Sequence, residues 1–260
     1  MRIAIDGRMG ETRGGIGVYT RELLYQLAEM DSKNQYFVIV NKSGNLKIGF
    51  NANNFLIVES SVSRKQYFIK DIWHQFFLPF FLKANHIDIY FNPRYILPYC
   101  SRSKMIVTIH DMIAFLYPEI WPGISGFRIR QYIRISSKRA DKILTVSNCA
   151  KNDIMRILNI PEEKIKVIPC GINEKLYNPN HDKSLQNVII KKYGIRKKFI
   201  LVIGPLGHVK NHDRLIDAYS ILPEHIREDY QLIITGEKKG TYSQLLKKTG
   251  KNRLSDDIVF

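Results

Sequence analysis

With 45% hydrophobic side chains, a chain of 260 residues can bury a core, in one large domain or two smaller ones. Forty Lys and Arg against 24 Asp and Glu leave a formal charge of +16, a surplus that attracts nucleic acid, anionic membrane or phosphorylated ligands without choosing among them. No apolar run is long enough to span a bilayer, and the apolar stretch after Met1 is too short for a signal-peptide core. The cysteines, Cys100, Cys149 and Cys170, are odd in number and lack metal-ligand spacing. They read as reduced thiols, so the expected compartment is the cytoplasm.

In chain order, short apolar runs fall at residues 3–6, 36–40, 55–58, 87–91, 105–109, 143–146, 165–168, 199–203 and 232–235. Most are β-branched or aromatic and apolar at every position, as strands covered on both faces of a parallel sheet must be. Helical stripes lie between several of them. Ile16, Tyr19, Leu23 and Leu27 form one, and Ile154 with Leu158 form another after Ser147, a candidate N-cap. Leu215, Tyr219 and Leu222 form a third, ended by Pro223. Alternating strands and helices predict an α/β, doubly wound parallel sheet.

A Pro- and Asn-rich stretch near residues 170–195 breaks the pattern before it resumes. The expected organisation is therefore a Rossmann-like domain over 1–175, a linker over 176–195, and an incomplete second Rossmann-like domain over 196–260. Residues 257–260 resemble the opening of a further strand, so the second domain reads as cut short and as a poor independent folding unit.

Three segments have parts suited to chemistry. Gly14, Gly15 and Gly17 open the first helix, where backbone N–H groups and the positive dipole end suit a phosphate; a flexible turn is the alternative. The third glycine of a dinucleotide fingerprint is replaced by Thr20. His110 and Asp111 follow the strand at 105–109, at the carboxyl end where ligands of open parallel sheets gather. His110 either meets a substrate or is a satisfied strand-end histidine, and Asp111 either orients it or caps the next segment. Lys210 and Asn211 end a Gly-containing loop, 204–211, that leads from strand to helix, the parts a diphosphate needs.

Two segments read as surface or as core. The window 64–83 holds Tyr67, Phe68, Trp73, Phe76, Phe77, Phe80 and Phe81 among Arg64, Lys65, Lys70 and Lys83, and ordinary core is its first reading. The stretch 123–142 is a basic amphipathic helix with Arg128, Arg130, Arg134 and Lys138. It suits either an anionic membrane surface or plain solvent.

Six strings occur together and in order: IAIDGRMGETRGGIGVYTRELL, HIDIYFNPRYILP, IVTIHDMIAFLYPE, ADKILTVSNCAKNDI, KIKVIPCGINEKLY and FILVIGPLGHVKNHDRLIDAY. As a set they resemble the retaining glycosyltransferases of family 4, of GT-B fold, and in particular their bacterial mannosyltransferase-like members. The resemblance implies two doubly wound domains, the C-terminal one holding most of a GDP- or UDP-sugar and the N-terminal one the acceptor. It implies transfer of a hexose such as mannose to a cell-envelope polysaccharide or lipid-linked acceptor, with retention and with no metal required. It places Gly14, Gly15 and Gly17 near the donor phosphates, His110 beside the reacting sugar, and Lys210 with Asn211 on the leaving diphosphate.

Two departures stand out. Where the family often has an arginine ahead of the lysine, this chain has Pro205, His208 and Val209. No two glutamates are spaced as the family's E-x7-E donor element requires. The sequence therefore predicts a missing C-terminal half and little transfer by these residues alone. A truncated or split-enzyme half is the alternative, and a nucleic-acid-binding module has only the net charge in its favour. The expected location is cytoplasmic, with peripheral attachment to the inner face of the membrane as a variant.

Overall fold

The computed structural model describes the chain apart from residues 43–45, 47–51, 63–70, 175, 178, 180–182 and 239. It divides into two compact units, Met1–Asn173 and Glu174–Phe260.

Unit 1 is built on a seven-stranded sheet in which every neighbouring pair is parallel. Its strands are β1 (Arg2–Asp6), β2 (Gln35–Val40), β3 (Phe55–Glu59), β4 (Ile89–Asn92), β5 (Lys104–Thr108), β6 (Lys142–Thr145) and β7 (Ile165–Val167). The order is β3-β2-β1-β4-β5-β6-β7, so the winding reverses between β1 and β4. Ligands of doubly wound sheets collect in the crevice beyond that reversal.

The helices are α1 (Gly15–Met30), α2 (Leu78–Ala84, entered through a π-helical turn at Trp73–Phe77), α3 (Ile113–Leu116), α4 (Gly123–Arg139) and α5 (Asn148–Leu158). Two buried clusters cover the two faces of the sheet. Ile39, Tyr90, Val107, Ile143 and Ile154 belong to one, and Ile5, Leu24 and Val38 to the other. Alternate residues of β2 thus enter opposite cores, which is why its run is apolar at every position.

Local chemistry sets the helix ends. Ser147 accepts from the Ala150 N–H at 3.1 Å, the expected N-cap. α5 stops at Asn159, whose left-handed φ of 51° suits the C-cap position. In α4, Gly126 is obligatory, because a Cβ there would lie 1.6 Å from the Trp121 carbonyl oxygen.

Unit 2 holds a three-stranded parallel sheet, β8 (Lys198–Ile203), β9 (Tyr230–Thr235) and β10 (Ile258–Val259), in the order β10-β9-β8. The strand expected at the end of the sequence is β10. The helices are α6 (Lys183–Lys192), α7 (His212–Ser220), α8 (Glu224–Asp229) and α9 (Tyr242–Lys251). Leu206, Ile216, Tyr219, Leu232, Ile234 and Leu245 form the core. Helix α6 lies inside the stretch 176–195 that reads as a linker; its Leu185, Val188 and Ile189 recur at helical spacing but are exposed.

Candidate active site

The loop from β1 to α1 is held from the helix behind it. Arg21 of α1 donates through Nη1 to the carbonyls of Gly10 and Thr12, and Asn41 Nδ2 donates to Glu11 Oε2 at 2.9 Å. The three glycines then differ. A Cβ on Gly17 would sit 2.1 Å from the Thr12 carbonyl oxygen, so this buried glycine lets α1 pack against its own entry loop. Gly14 and Gly15 are exposed, with nothing within 4 Å of the space a Cβ would take. Gly14 is the N-cap and offers no side-chain acceptor, which leaves the first-turn N–H groups of α1 for a ligand.

His110 follows β5. Its Nε2 lies 2.9 Å from the Pro93 carbonyl oxygen, and its ring meets the Tyr19 ring edge-on at 4.9 Å. Tyr19 Oη in turn lies 3.3 Å from Thr108 Oγ1. A carbonyl only accepts, so Nε2 carries the proton and a neutral ring presents a bare Nδ1. Burial lowers the imidazole pKa against the opposing pull of the Pro93 carbonyl and Asp111, which favours that neutral form. Asp111 accepts from the Ile113 N–H at 3.0 Å and so caps the following turn.

Beyond β1 and β4 lies a buried polar network with no counterpart in the motif reading. Arg8 donates to both carboxylate oxygens of Asp6, at 2.9 and 2.5 Å, and to His74 Nδ1 at 2.8 Å. Tyr90 and Asn92 add hydrogen bonds to Asp6 Oδ2 at 3.1 and 3.2 Å. Burial alone would raise the Asp6 carboxyl, but the Arg8 guanidinium outweighs it and the pKa falls to about 2. Burial, then the charge of Arg8, takes His74 down to about 3, so it is neutral.

This network floors a cleft of about 570 Å³, walled by Arg94, Tyr95 and Ile96 after β4 and by Ser125, Arg128 and Tyr132 of α4. Sequence reasoning missed it, although Asp6 and Asn92 end strands just as His110 follows one. The strand-end rule that selected His110 would have selected them too.

In unit 2 the loop after β8 carries Lys210. Its stem crosses the Gly204 backbone, where a Cβ would lie 3.2 Å from both Lys210 Cγ and Cε. Gly236 is equally constrained, since its Cβ would fall 1.9 Å from the Gly204 carbonyl oxygen. Lys210 is exposed and pairs with no carboxylate among the described residues. Asn211 holds a left-handed φ of 52° as the N-cap of α7, and its side chain makes no capping bond. A free ammonium and an uncapped helix N-terminus therefore stand together, as diphosphate recognition needs.

The two candidate surface segments resolve unevenly. Trp73 is buried and Phe81 packs on the core, whereas Phe76, Phe77 and Phe80 are 64%, 60% and 73% exposed. Arg64, Lys65, Tyr67, Phe68 and Lys70 lie outside the described residues. On α4 the four cations do not share one role. Arg128 pairs with Asp71, Arg130 donates to the Ala114 carbonyl at 3.2 Å, and Arg134 lies over the Phe115 ring. Lys138 is exposed. Among the described residues no helix is long and apolar enough to cross a membrane, and no three His, Cys, Asp or Glu side chains are grouped to hold a metal ion.

A doubly wound parallel unit followed by a second parallel α/β unit is the arrangement of the GT-B class of glycosyltransferases, and solved structures agree. Anabaena HepE in complex with UDP-glucose superposes with a TM-score of 0.69 at 15% identity, over 99% of this chain and 68% of that one. WaaG, described as a glycosyltransferase involved in lipopolysaccharide biosynthesis, gives 0.67 at 14%, over 99% and 69%. The family model for Glycosyltransferase Family 4 matches residues 13–176, and that for Glycosyl transferases group 1 matches residues 186–260. The chain belongs to glycosyltransferase family 4, and its second domain is matched in part.

Among characterised relatives, O-antigen chain mannosyltransferase B of Escherichia coli is 29% identical over 148 residues, 57% of this chain and 38% of that protein. The serotype-specific mannosyltransferase WbdA of Escherichia coli is 27% identical over 136 residues, 50% and 16%. The matched region is thus well under half the length of either relative.

Proposed function

We propose that the protein transfers a hexose, mannose being the first candidate, from a GDP- or UDP-sugar to a cell-envelope polysaccharide or lipid-linked acceptor, with retention of configuration. The observation that carries the reading is Lys210, a carboxylate-free cation beside the uncapped N-terminus of α7. When the bond between the anomeric carbon and the diphosphate breaks, negative charge grows on the departing oxygen. An ammonium and helix N–H groups already in place stabilise that charge without reorganising. In unit 1, neutral His110 offers Nδ1 to a sugar hydroxyl, and Gly14 and Gly15 leave room for a phosphate or sugar at the backbone. The relatives' mannosyltransferase names favour mannose, and the UDP-glucose complex of HepE keeps the uridine donors in play.

Calorimetric titration with GDP-mannose, UDP-glucose and UDP-galactose tests the donor. Incubation of each labelled donor with a cell-envelope extract tests transfer. One donor should bind, and Lys210→Ala should weaken it at least about tenfold, the loss of one charge-assisted contact. The reading fails if none of the three binds and no label reaches the extract.

The same reading puts the protein against an anionic bilayer at the cytoplasmic face. Exposed Phe76, Phe77 and Phe80 would enter the headgroup region, and Lys138 with Arg134 would meet the phosphates. Co-sedimentation with phosphatidylglycerol vesicles, lost in a Phe76→Ser/Phe80→Ser variant, is the expected result. Equal sedimentation of both proteins would refute it.

A further inference from the structure

Three arginines and two aspartates line or floor the cleft of unit 1, and their pairing is unequal. Arg8 is consumed by Asp6 and His74, and Arg128 by Asp71. Arg94 is left without a carboxylate among the described residues. Its Nη2 donates to Tyr95 Oη at 2.8 Å, its guanidinium lies 4.8 Å from the centre of the Tyr95 ring, and Nη1 touches Met9 Sδ at 3.7 Å. Asn92 Oδ1 accepts from the Arg94 backbone N–H at 2.9 Å, which fixes the turn carrying it. Most of the five donors of the guanidinium fork therefore remain open in a cleft of about 570 Å³, inside the range of roughly 300–1,000 Å³ typical of ligand pockets.

The surplus cation is also tied to the reacting centre. Arg94 adjoins Pro93, whose carbonyl holds His110. A group bound by Arg94 is thereby kept beside the peptide that positions the histidine.

We propose that this cleft is the acceptor seat and that Arg94 binds an oxyanion on the acceptor, a phosphate or a sugar carboxylate. Calling the occupant an acceptor rests on the transferase reading above; the anion preference of the cleft does not. A planar guanidinium fork suits paired oxygens of either group. Ile96 and Ile129 in the wall give apolar surface to the rest of such a ligand.

Three probes with one alkyl chain separate the alternatives: octyl phosphate, octyl glucuronide and octyl glucoside, titrated calorimetrically below their micellar concentrations. At least one charged probe should bind about tenfold or more tightly than the neutral glucoside, as a charge-assisted hydrogen bond allows. Phosphate ahead of glucuronide would point to a phosphate-linked acceptor, and the reverse order to an acidic glycan. Arg94→Gln should abolish the preference, Arg94→Lys should keep part of it, and both should bind the sugar nucleotide as the unaltered protein does. Equal binding of all three probes, or a preference that survives Arg94→Gln, overturns the proposal. Failure of the transferase reading would show itself separately, as absence of sugar-nucleotide binding.

Discussion

The proton on His110 Nε2 is committed to the Pro93 carbonyl, 2.9 Å away, and that bond decides what the ring can do. With Nε2 donating and burial favouring the neutral imidazole, Nδ1 is an acceptor that persists below the usual histidine pKa near 6.5. As pH falls through the lowered pKa, Nδ1 gains a proton and the acceptor is lost. Transfer should therefore lose activity on the acid side with a midpoint below pH 6.5, and His110→Ala should reduce kcat by about 10²–10³-fold. A pH–rate profile for the unaltered protein checks this; an acid limb centred at or above 6.5 would contradict it.

The three glycines of the β1–α1 loop should separate stability from binding. Gly17→Ala forces a Cβ into the Thr12 carbonyl and should cost on the order of 2–3 kcal/mol, in the range of overpacked cores. Gly15→Ala meets open space, so its melting temperature should stay close to that of the unaltered protein. If a phosphate sits there, donor binding should nevertheless weaken severalfold. Thermal melts and donor titrations of both variants test the division. Equal stability losses would remove it.

Lys210 and Gly204 make a similar pair in unit 2. Lys210 is exposed, so Lys210→Ala should change stability by less than about 0.5 kcal/mol while weakening the donor. Gly204→Ala pushes a methyl against the Lys210 stem and should weaken the donor while leaving the ammonium in place. Gly204→Ala binding donor as tightly as the unaltered protein would show that the position of the lysine does not matter.

What the sequence disclosed follows from what it encodes locally. The run at 36–40 announced a strand because both its faces enter cores, and Ser147 announced a helix start because capping needs one side chain and one N–H. His110, Lys210 and the glycines were visible because each adjoins such an element. The cleft was not. Asp6 and Asn92 end strands and were open to the strand-end rule, but His74 comes from a distant helical turn, and only the strand order brings the three together. Helix α6 carries Leu185, Val188 and Ile189 at helical spacing, but the Pro and Asn residues just ahead of it favour a connection, and its apolar face is exposed rather than packed in a core. Of the aromatics at 73–81, sequence alone could not separate buried Trp73 from exposed Phe76, because a π-helical turn shifts the facing.

The Asp6–Arg8–His74 network makes a prediction about acid stability that isolates one residue. His74 is 3% exposed and has its pKa lowered to about 3 by burial and by Arg8. The unfolded chain takes up a proton near pH 6.5 that the folded chain refuses until about 3, so stability falls with pH across that window by about 1.4 kcal/mol per unit. Asp6 acts with the same sign in a lower window: its folded pKa of about 2 lies below the unfolded value of 3.8, so its contribution is intact above pH 4 and fades only below. His110 shifts in the same direction as His74 and is present in both proteins to be compared. Between pH 7 and pH 5 the unaltered protein should therefore lose about 2 kcal/mol more than His74→Gln, whose amide can still accept from Arg8 without titrating. Urea unfolding of both proteins at the two pH values measures the difference. Equal losses would mean that His74 is not held neutral by Arg8 and its burial.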